Sequence, residues 1–283
     1  MASNNNAKRK ITRALVILPT YNEAASLIQV VDALLSLPSA VNILVVDDSS
    51  PDGTADLAKN HPAFEKRLFL LLRPGKQGLA TAYKEGFQWG LKQGYDVCME
   101  MDSDLSHDPK DIPRLLHTIE QGADMAIGSR YLQGISVINW PLRRLLVSIC
   151  AGIYTRVISG LPLTDPTGGF KAIHRDVLEH LSWDEVKSDG YGFQIEVSFL
   201  AYKSGFRIEE IPIIFTERRD GESKFSFGIA VEAALRVLQL GFLGRFKNMK
   251  KFSSYTSEKK THLSETGRTP YPETLSKRGS EVD

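Results

Sequence analysis

Apolar residues along this chain come in short unbroken runs, separated by stretches in which they recur every three or four positions. The runs are Ala14–Pro19, Val41–Val46, Arg67–Leu72, Val97–Met101 and Met125–Gly128. Their length and β-branched content predict buried strands. Between them, Leu27, Val30, Val31, Leu34 and Leu35 repeat at helical spacing, with Asn22 read as the N-cap. A short helix to about Lys59, one from Leu79 to about Lys92 and one from about Pro109 to Gln121 follow in turn. Strands alternating with helices predict an α/β fold: a mostly parallel sheet with helices on both faces. Ligands of such sheets bind outside the carboxyl ends of the strands. The polar clusters fall there: Thr20–Glu23, Asp47–Thr54, Arg73–Gly78, Asp102–Asp108 and Ser129–Tyr131.

The second half is patterned differently. Pro141–Ile158 is amphipathic, with Leu142, Leu145, Leu146, Ile149, Ile153, Val157 and Ile158 in one stripe and Arg143, Arg144, Ser148 and Arg156 away from it. Thr164–Phe170 reads as a tight loop, followed by helices near Asp176–Leu181 and Phe193–Lys203. Arg207–Phe215 reads as a strand, at an edge because of Pro212. Ile229–Phe246 is apolar apart from Glu232, Arg236, Gln239 and Arg245, and Lys247, Lys250 and Lys251 follow it. Such a segment suits an interfacial helix at an anionic membrane surface, and equally a helix packed on the sheet. The resulting division is a polar, basic lead over 1–12, one α/β domain over 13–228, an amphipathic membrane-proximal helix over 229–251 and a polar tail over 252–283, with the lead and the tail predicted to be disordered.

Composition narrows the function. At 283 residues and 42% hydrophobic content, the chain supports a sizeable core. A formal net charge of +1 argues against a globally basic nucleic-acid binder. Cys98 and Cys150 both lie in apolar settings and read as buried thiols in a reducing compartment. Met1–Lys10 lacks the apolar core of a signal peptide, and no run reaches the length of a spanning helix. The expectation is a protein of the cytoplasmic face, with peripheral membrane contact.

The chemistry centres on Asp102-Ser103-Asp104, at the end of an apolar run. A hard divalent ion such as Mg²⁺ or Mn²⁺ is held by one or two carboxylates plus substrate phosphates. Two aspartates two residues apart supply that set, either along a continuing strand or by convergence in a turn. No GxGxxG follows the first strand and no P-loop occurs, so a nucleotide would be bound otherwise. Asp48 is positioned for a base or ribose hydrogen bond, with Tyr21 and Glu23 flanking the same moiety.

Six motifs in order give these clusters a specific resemblance. They are Pro19-Thr20-Tyr21-Asn22-Glu23, Val46–Thr54 (VDDSSPDGT), Met101–His107 (MDSDLSH), Gly128-Ser129-Arg130-Tyr131, Asp165–Phe170 (DPTGGF) and Gly221-Glu222-Ser223-Lys224. Over roughly residues 14–226 the chain resembles the polyprenol-phosphate (dolichol-phosphate) mannosyltransferases, inverting family-2 glycosyltransferases with a GT-A fold. The resemblance implies transfer of mannose from GDP-mannose to a polyprenyl phosphate, with Mg²⁺ or Mn²⁺. It implies that Pro19, Tyr21, Glu23, Val46 and Asp48 hold the guanosine part. Asp102, Ser103, Asp104 and Ser106 then contact metal, diphosphate or sugar; serine stands at position 106 where several relatives have glutamine. Arg130 and Arg144 match residues that meet the acceptor phosphate, and Arg218 and Lys224 match a loop over the donor phosphates. Because some relatives carry spanning helices, attachment here is expected through 141–158 and 229–246, or through a small membrane-spanning partner.

The residues agree with that chemistry. Departure of a nucleoside diphosphate builds charge that a metal, Arg and Lys stabilise. A phosphate monoester, with a second pKa of about 6, is already a nucleophilic dianion near neutral pH. No general base is therefore needed, and His107 reads as a loop residue. Cationic positioning is needed, which Arg130 and Arg144 supply bidentately. Two alternatives stay open: a glucose synthase using UDP-glucose, and a catalytically silent subunit that binds nucleotide or lipid.

Overall fold

The computed structural model describes residues 8–217 and 227–246. In chain order its elements are β1 (Ala14–Thr20), α1 (Leu27–Leu35), β2 (Val41–Asp47), α2 (Thr54–Lys59), β3 (Leu68–Leu72), α3 (Leu79–Lys92) and β4 (Val97–Glu100). A 3₁₀ turn at Pro109–Asp111 leads into α4 (Ile112–Glu120), then β5 (Met125–Ser129), β6 (Val137–Ile138), α5 (Leu142–Ser159), β7 (Lys171–His174) and α6 (Arg175–His180). The series closes with α7 (Gly190–Lys203), β8 (Ile208–Pro212), β9 (Phe215–Thr216) and α8 (Phe227–Phe246).

Seven strands form one sheet in the order β3-β2-β1-β4-β7-β5-β8. All pairings are parallel except those of β7, which runs antiparallel between β4 and β5. Side-chain alternation sends Leu15 and Ile17 to one face and Val16 and Leu18 to the other. The first face packs under α3, α6 and α7, the second under α1 and α4. Both faces are dry, which is why the strands read as apolar runs and not as alternating ones. The sheet ends at β8, so Pro212 does lie in an edge strand.

The sequence pattern shows no strand at β7, because four residues opening on Lys171 carry too little of it. Three expectations need correction. Asn22 does not cap α1: Ser26 holds that position, and Asn22 sits at φ 60° inside the preceding turn. Cys150 is exposed on α5, although Cys98 is buried. The stripe of α5 faces outward: Leu142, Leu146, Ile153 and Val157 are exposed, while Gly152, Thr155 and Ser159 form the buried side. Helix α8 lies against α5 and α7 and buries Val237 and Leu240, but exposes Leu235, Leu238 and Phe242. The contact with α5 is close, because a Cβ on Gly241 would stand 2.5 Å from the Ile158 carbonyl oxygen. Arg236, polar in the sequence pattern, pairs with the buried Glu196 of α7. Among the described residues no helix is long and apolar enough to cross a membrane.

Candidate active site

The carboxyl ends of β1, β2 and β4 lie side by side, so the loops leaving them share one rim of the sheet. Each loop contains one non-glycine residue in the left-handed region: Asn22 (φ 60°), Ser49 (φ 55°) and Leu105 (φ 64°). For a leucine this conformation is strained, and such strain clusters at ligand sites.

Asp47 organises the first two loops. Its fully buried carboxylate accepts from Thr20 Oγ1 at 2.8 Å, Ser50 N at 2.9 Å and Ser50 Oγ at 2.6 Å. Ser50 Oγ in turn accepts from Asn22 N at 3.0 Å, and Thr54 Oγ1 accepts from Glu23 N at 3.1 Å. Pro19 and Val46 are register partners beneath these loops. Beside them the Asp48 carboxylate lies 3.2 Å from Arg73 Nε and accepts from Gln77 N at 3.2 Å. The Arg73 contact is an ion pair without hydrogen-bond alignment, so Asp48 Oδ1 and Arg73 Nε both remain buried and unsatisfied. A polar ligand atom would resolve that arrangement. Lys76 lies over the Tyr21 ring at 4.7 Å, which brings the loop after β3 to the same rim. Pro19, Tyr21, Glu23, Val46 and Asp48 thus lie on one rim of the sheet. Asp47 and Arg73 carry no individual signal in the sequence; only their place inside polar clusters points to them.

Strand β4 stops at Glu100, and a turn carries Asp102, Ser103 and Asp104. Ser103 stitches this turn to β1: its Oγ donates to Pro19 O at 3.1 Å and its carbonyl accepts from Ser26 Oγ at 2.7 Å. Asp104 Oδ1 accepts from Ser106 N at 3.0 Å, and Ser106 O accepts from Thr216 N at 3.1 Å. Ser106 is buried, and its contacts here run through its backbone. His107 is buried against Phe170 at 4.8 Å, and its Nδ1 accepts from Asp102 N at 3.3 Å. Burial pushes the imidazole down to about 4, so at neutral pH it is an uncharged spacer. Its reading as a loop residue holds.

Arg130 and Arg144 differ sharply. Arg130 is 6% exposed, and its fork is held by Asp165: Nε donates to Oδ2 and Nη2 to Oδ1, each at 2.6 Å. Nη2 also reaches Thr167 Oγ1 at 2.8 Å. The bidentate grip on a phosphate expected of Arg130 is therefore already taken by a carboxylate. Glu210 of β8 supports this loop by accepting from Thr164 N, Thr164 Oγ1 and Asp165 N at 2.7–2.9 Å. Arg144, at the start of α5, pairs with Glu217 and lies 4.3 Å from the centroid of Trp140. Arg130 approaches the same ring at 5.2 Å. His107 meets the Phe215 ring at 5.2 Å and Arg130 lies 5.7 Å from the same ring, so the aspartate turn and the arginine cluster adjoin. Arg218 and Lys224 lie outside the described residues.

Directly below the aspartate turn, Glu100 pairs across the sheet with Lys171, and both are fully buried. Lys171 Nζ donates to Gln194 O at 2.8 Å and to Gln194 Oε1 at 2.6 Å. Burial raises the Glu100 carboxyl above the usual carboxylate range and lowers the Lys171 ammonium, with the opposite charge of each resisting the shift.

Comparison with known proteins agrees with this geometry. Residues 15–182 match the family described as Glycosyl transferase family 2. Over 238 residues, 84% of the chain, it is 44% identical to the undecaprenyl-phosphate mannosyltransferase of Micrococcus luteus and covers 98% of that protein. It is 46% identical over 238 residues to the polyprenol monophosphomannose synthase of Mycolicibacterium smegmatis, covering 90% of it. The crystal structure of glucosyl-3-phosphoglycerate synthase from Mycobacterium tuberculosis with Mn²⁺, UDP-glucose and phosphoglyceric acid superposes with a TM-score of 0.61 at 16% identity, over 81% of this chain and 80% of that one. The same enzyme with Mg²⁺ and UDP gives 0.61 at 16% identity, over 81% and 79%. At that identity the likeness is one of fold, the mostly parallel sheet flanked by helices. The chain belongs to glycosyl transferase family 2 and, within it, to the group of the polyprenol-phosphate mannosyltransferases.

Proposed function

We propose that this chain transfers mannose from GDP-mannose to a polyprenyl phosphate with inversion, giving polyprenyl phosphate β-D-mannose. The observation that carries the reading is the turn bearing Asp102 and Asp104, tied to β1 on one side and adjoining the Arg130–Asp165 and Arg144 cluster on the other. Such a turn has a nucleotide rim and a cationic acceptor side.

The donor set fits a hard divalent ion. Among the described residues no group of three His, Cys, Asp or Glu side chains converges, so two aspartates would share Mg²⁺ or Mn²⁺ with phosphate oxygens. When bound, that ion supplies Lewis-acid stabilisation of the leaving diphosphate. On this reading Pro19, Tyr21, Glu23, Val46 and Asp48 hold the guanosine part, and Ser103 fixes the turn. Ser106 N holds Asp104 Oδ1, which orients that carboxylate. Arg218 and Lys224 meet the donor phosphates. The acceptor phosphate enters as a dianion. One of its oxygens attacks the anomeric carbon opposite the leaving group; that O–C bond forms as the bond to the β-phosphate breaks, and the electron pair leaves with GDP. No proton moves, in keeping with the uncharged, buried His107. Arg144 orients the attacking phosphate, while Arg130 contributes positive potential from behind its Asp165 pair.

The exposed apolar side chains of α5 and α8 support docking on a lipid surface. Leu142, Leu146, Ile153, Val157, Leu235, Leu238 and Phe242 lie on two packed helices, beside an arginine that is to meet a lipid phosphate. Such a patch marks an interaction surface. Purified protein given radiolabelled GDP-mannose or UDP-glucose with polyprenyl phosphate tests the reading. Transfer from GDP-mannose supports it. Transfer from UDP-glucose alone replaces the donor, and none with any donor and metal supports the silent subunit.

A further inference from the structure

The proposed function gives Arg144 to the acceptor phosphate with Arg130 behind it, and the role inferred for Glu217 rests on that reading. Each arginine already holds a carboxylate, and the two carboxylates differ in kind. Asp165 is 1% exposed and binds Arg130 through its backbone N–H and two guanidinium N–H groups, with Thr167 alongside. It is part of the fold and has no route out. Glu217 and Arg144 have side chains 22% and 23% exposed, so their ion pair is open to solvent. A partly exposed pair of this kind exchanges readily.

The backbone of Glu217 is held independently of its carboxylate. Glu217 N donates to Ile138 O at 3.1 Å, Phe215 N to Ser136 O at 3.0 Å and Thr216 N to Ser106 O at 3.1 Å. The β6–β9 ribbon therefore ties Glu217 to the aspartate turn. Arg144 has its own support: the Trp140 ring at 4.3 Å keeps the guanidinium in place whichever anion it holds. Trp140 is braced edge-on by Phe215 at 5.6 Å. A guanidinium fork takes a carboxylate or a phosphate in the same planar geometry.

We propose that Glu217 is an internal competitor of the acceptor phosphate at Arg144. Its carboxylate holds the cation in the free enzyme, yields it to the incoming dianionic monoester, and reclaims it from the product. The charge balance sets the direction. The acceptor enters with close to two negative charges at neutral pH. The product is a phosphodiester with one, so a carboxylate beside it competes on nearly equal terms. Glu217 thereby weakens the binding of acceptor and product alike at Arg144 and favours product release.

The test uses the full chain, GDP-mannose and a short-chain polyprenyl phosphate in detergent. For Glu217→Gln we expect the acceptor KM to fall about three- to fivefold, the size of a partly exposed ion pair. The KM for GDP-mannose stays unchanged, and inhibition by added polyprenyl phosphate mannose tightens by a similar factor. Arg144→Ala raises the acceptor KM. If Arg144→Ala raises it but Glu217→Gln leaves it unchanged or higher, the competitor role is wrong and the arginine assignment stands. If Arg144→Ala leaves the acceptor KM unchanged, the assignment itself has failed, and the competitor role with it.

Discussion

Asp165→Asn tests how far the arginine cluster depends on one buried charge. Asparagine keeps the shape of the side chain but presents an N–H₂ group to one of two guanidinium N–H donors now held at 2.6 Å. Arg130 is 6% exposed, so water does not replace the lost bond. Removing one partner of a buried pair leaves an uncompensated buried charge, a loss of about 3–5 kcal/mol. The retained amide oxygen offsets part of this, which puts the expected destabilisation near the lower end, about 3 kcal/mol. For a domain of this size that is a fall in Tm of about 6–12 °C. The acid side changes as well. The Arg130 guanidinium holds the Asp165 carboxyl below the usual carboxylate range, against the burial that raises it. A depressed carboxylate stabilises above its unfolded pKa, and that stability drains away as the pH drops below about 4. Asp165→Asn removes that component, so the variant is less stable at neutral pH and less sensitive to acid. Guanidinium denaturation of parent and variant at pH 7 and below pH 4 measures both. A loss under about 1 kcal/mol at pH 7 would refute the claim that this pair is buried, intact and essential to the cluster. Arg130→Met in the Asp165→Asn background recovers part of the loss if the stranded charge is its cause.

Three further outcomes are expected on the same physics. His107 is depressed to about 4 by burial, so the folded protein must keep it neutral; stability falls as pH drops from about 6.5 toward 4, by up to about 3 kcal/mol, and His107→Gln flattens that part of a denaturation-midpoint profile. Gly241→Val drives side-chain atoms against the Ile158 carbonyl and loosens α8 from α5; a loss of about 1–3 kcal/mol, with release of protein from anionic vesicles in a flotation assay, is expected. Asp104→Asn keeps the bond from Ser106 N through its amide oxygen but removes the charge that the proposed function assigns to the metal; kcat falls on the order of 10²-fold or more, while Tm moves little.

The architecture could be read from the sequence because both faces of the sheet are dry. Leu15, Val16, Ile17 and Leu18 are all buried, so β1 appears as a solid apolar run whichever way its side chains point. The polar clusters after β1, β2 and β4 could be read for the complementary reason, since nothing else explains charged residues at the ends of such strands. Strand β7 escapes because Lys171, a fully buried cation, looks like a surface residue without the Glu100 and Gln194 that hold it. The stripe on α5 is visible, but periodicity gives the angle between faces and not which face is covered. There the small residues Gly152, Thr155 and Ser159 face the protein and the leucines face out. Arg130 and Arg144 are both marked by their motifs. That one is locked to Asp165 and the other paired with Glu217 depends on contacts spanning 35 and 73 positions, which no local pattern records.

The central claim is that an already ionised phosphate, steered by Arg144, strikes the sugar from the side opposite the diphosphate held at Asp102 and Asp104. Proton NMR of the polyprenyl phosphate mannose made from α-linked GDP-mannose tests it most directly. The account predicts the β anomer alone; a product that keeps the α configuration would contradict it.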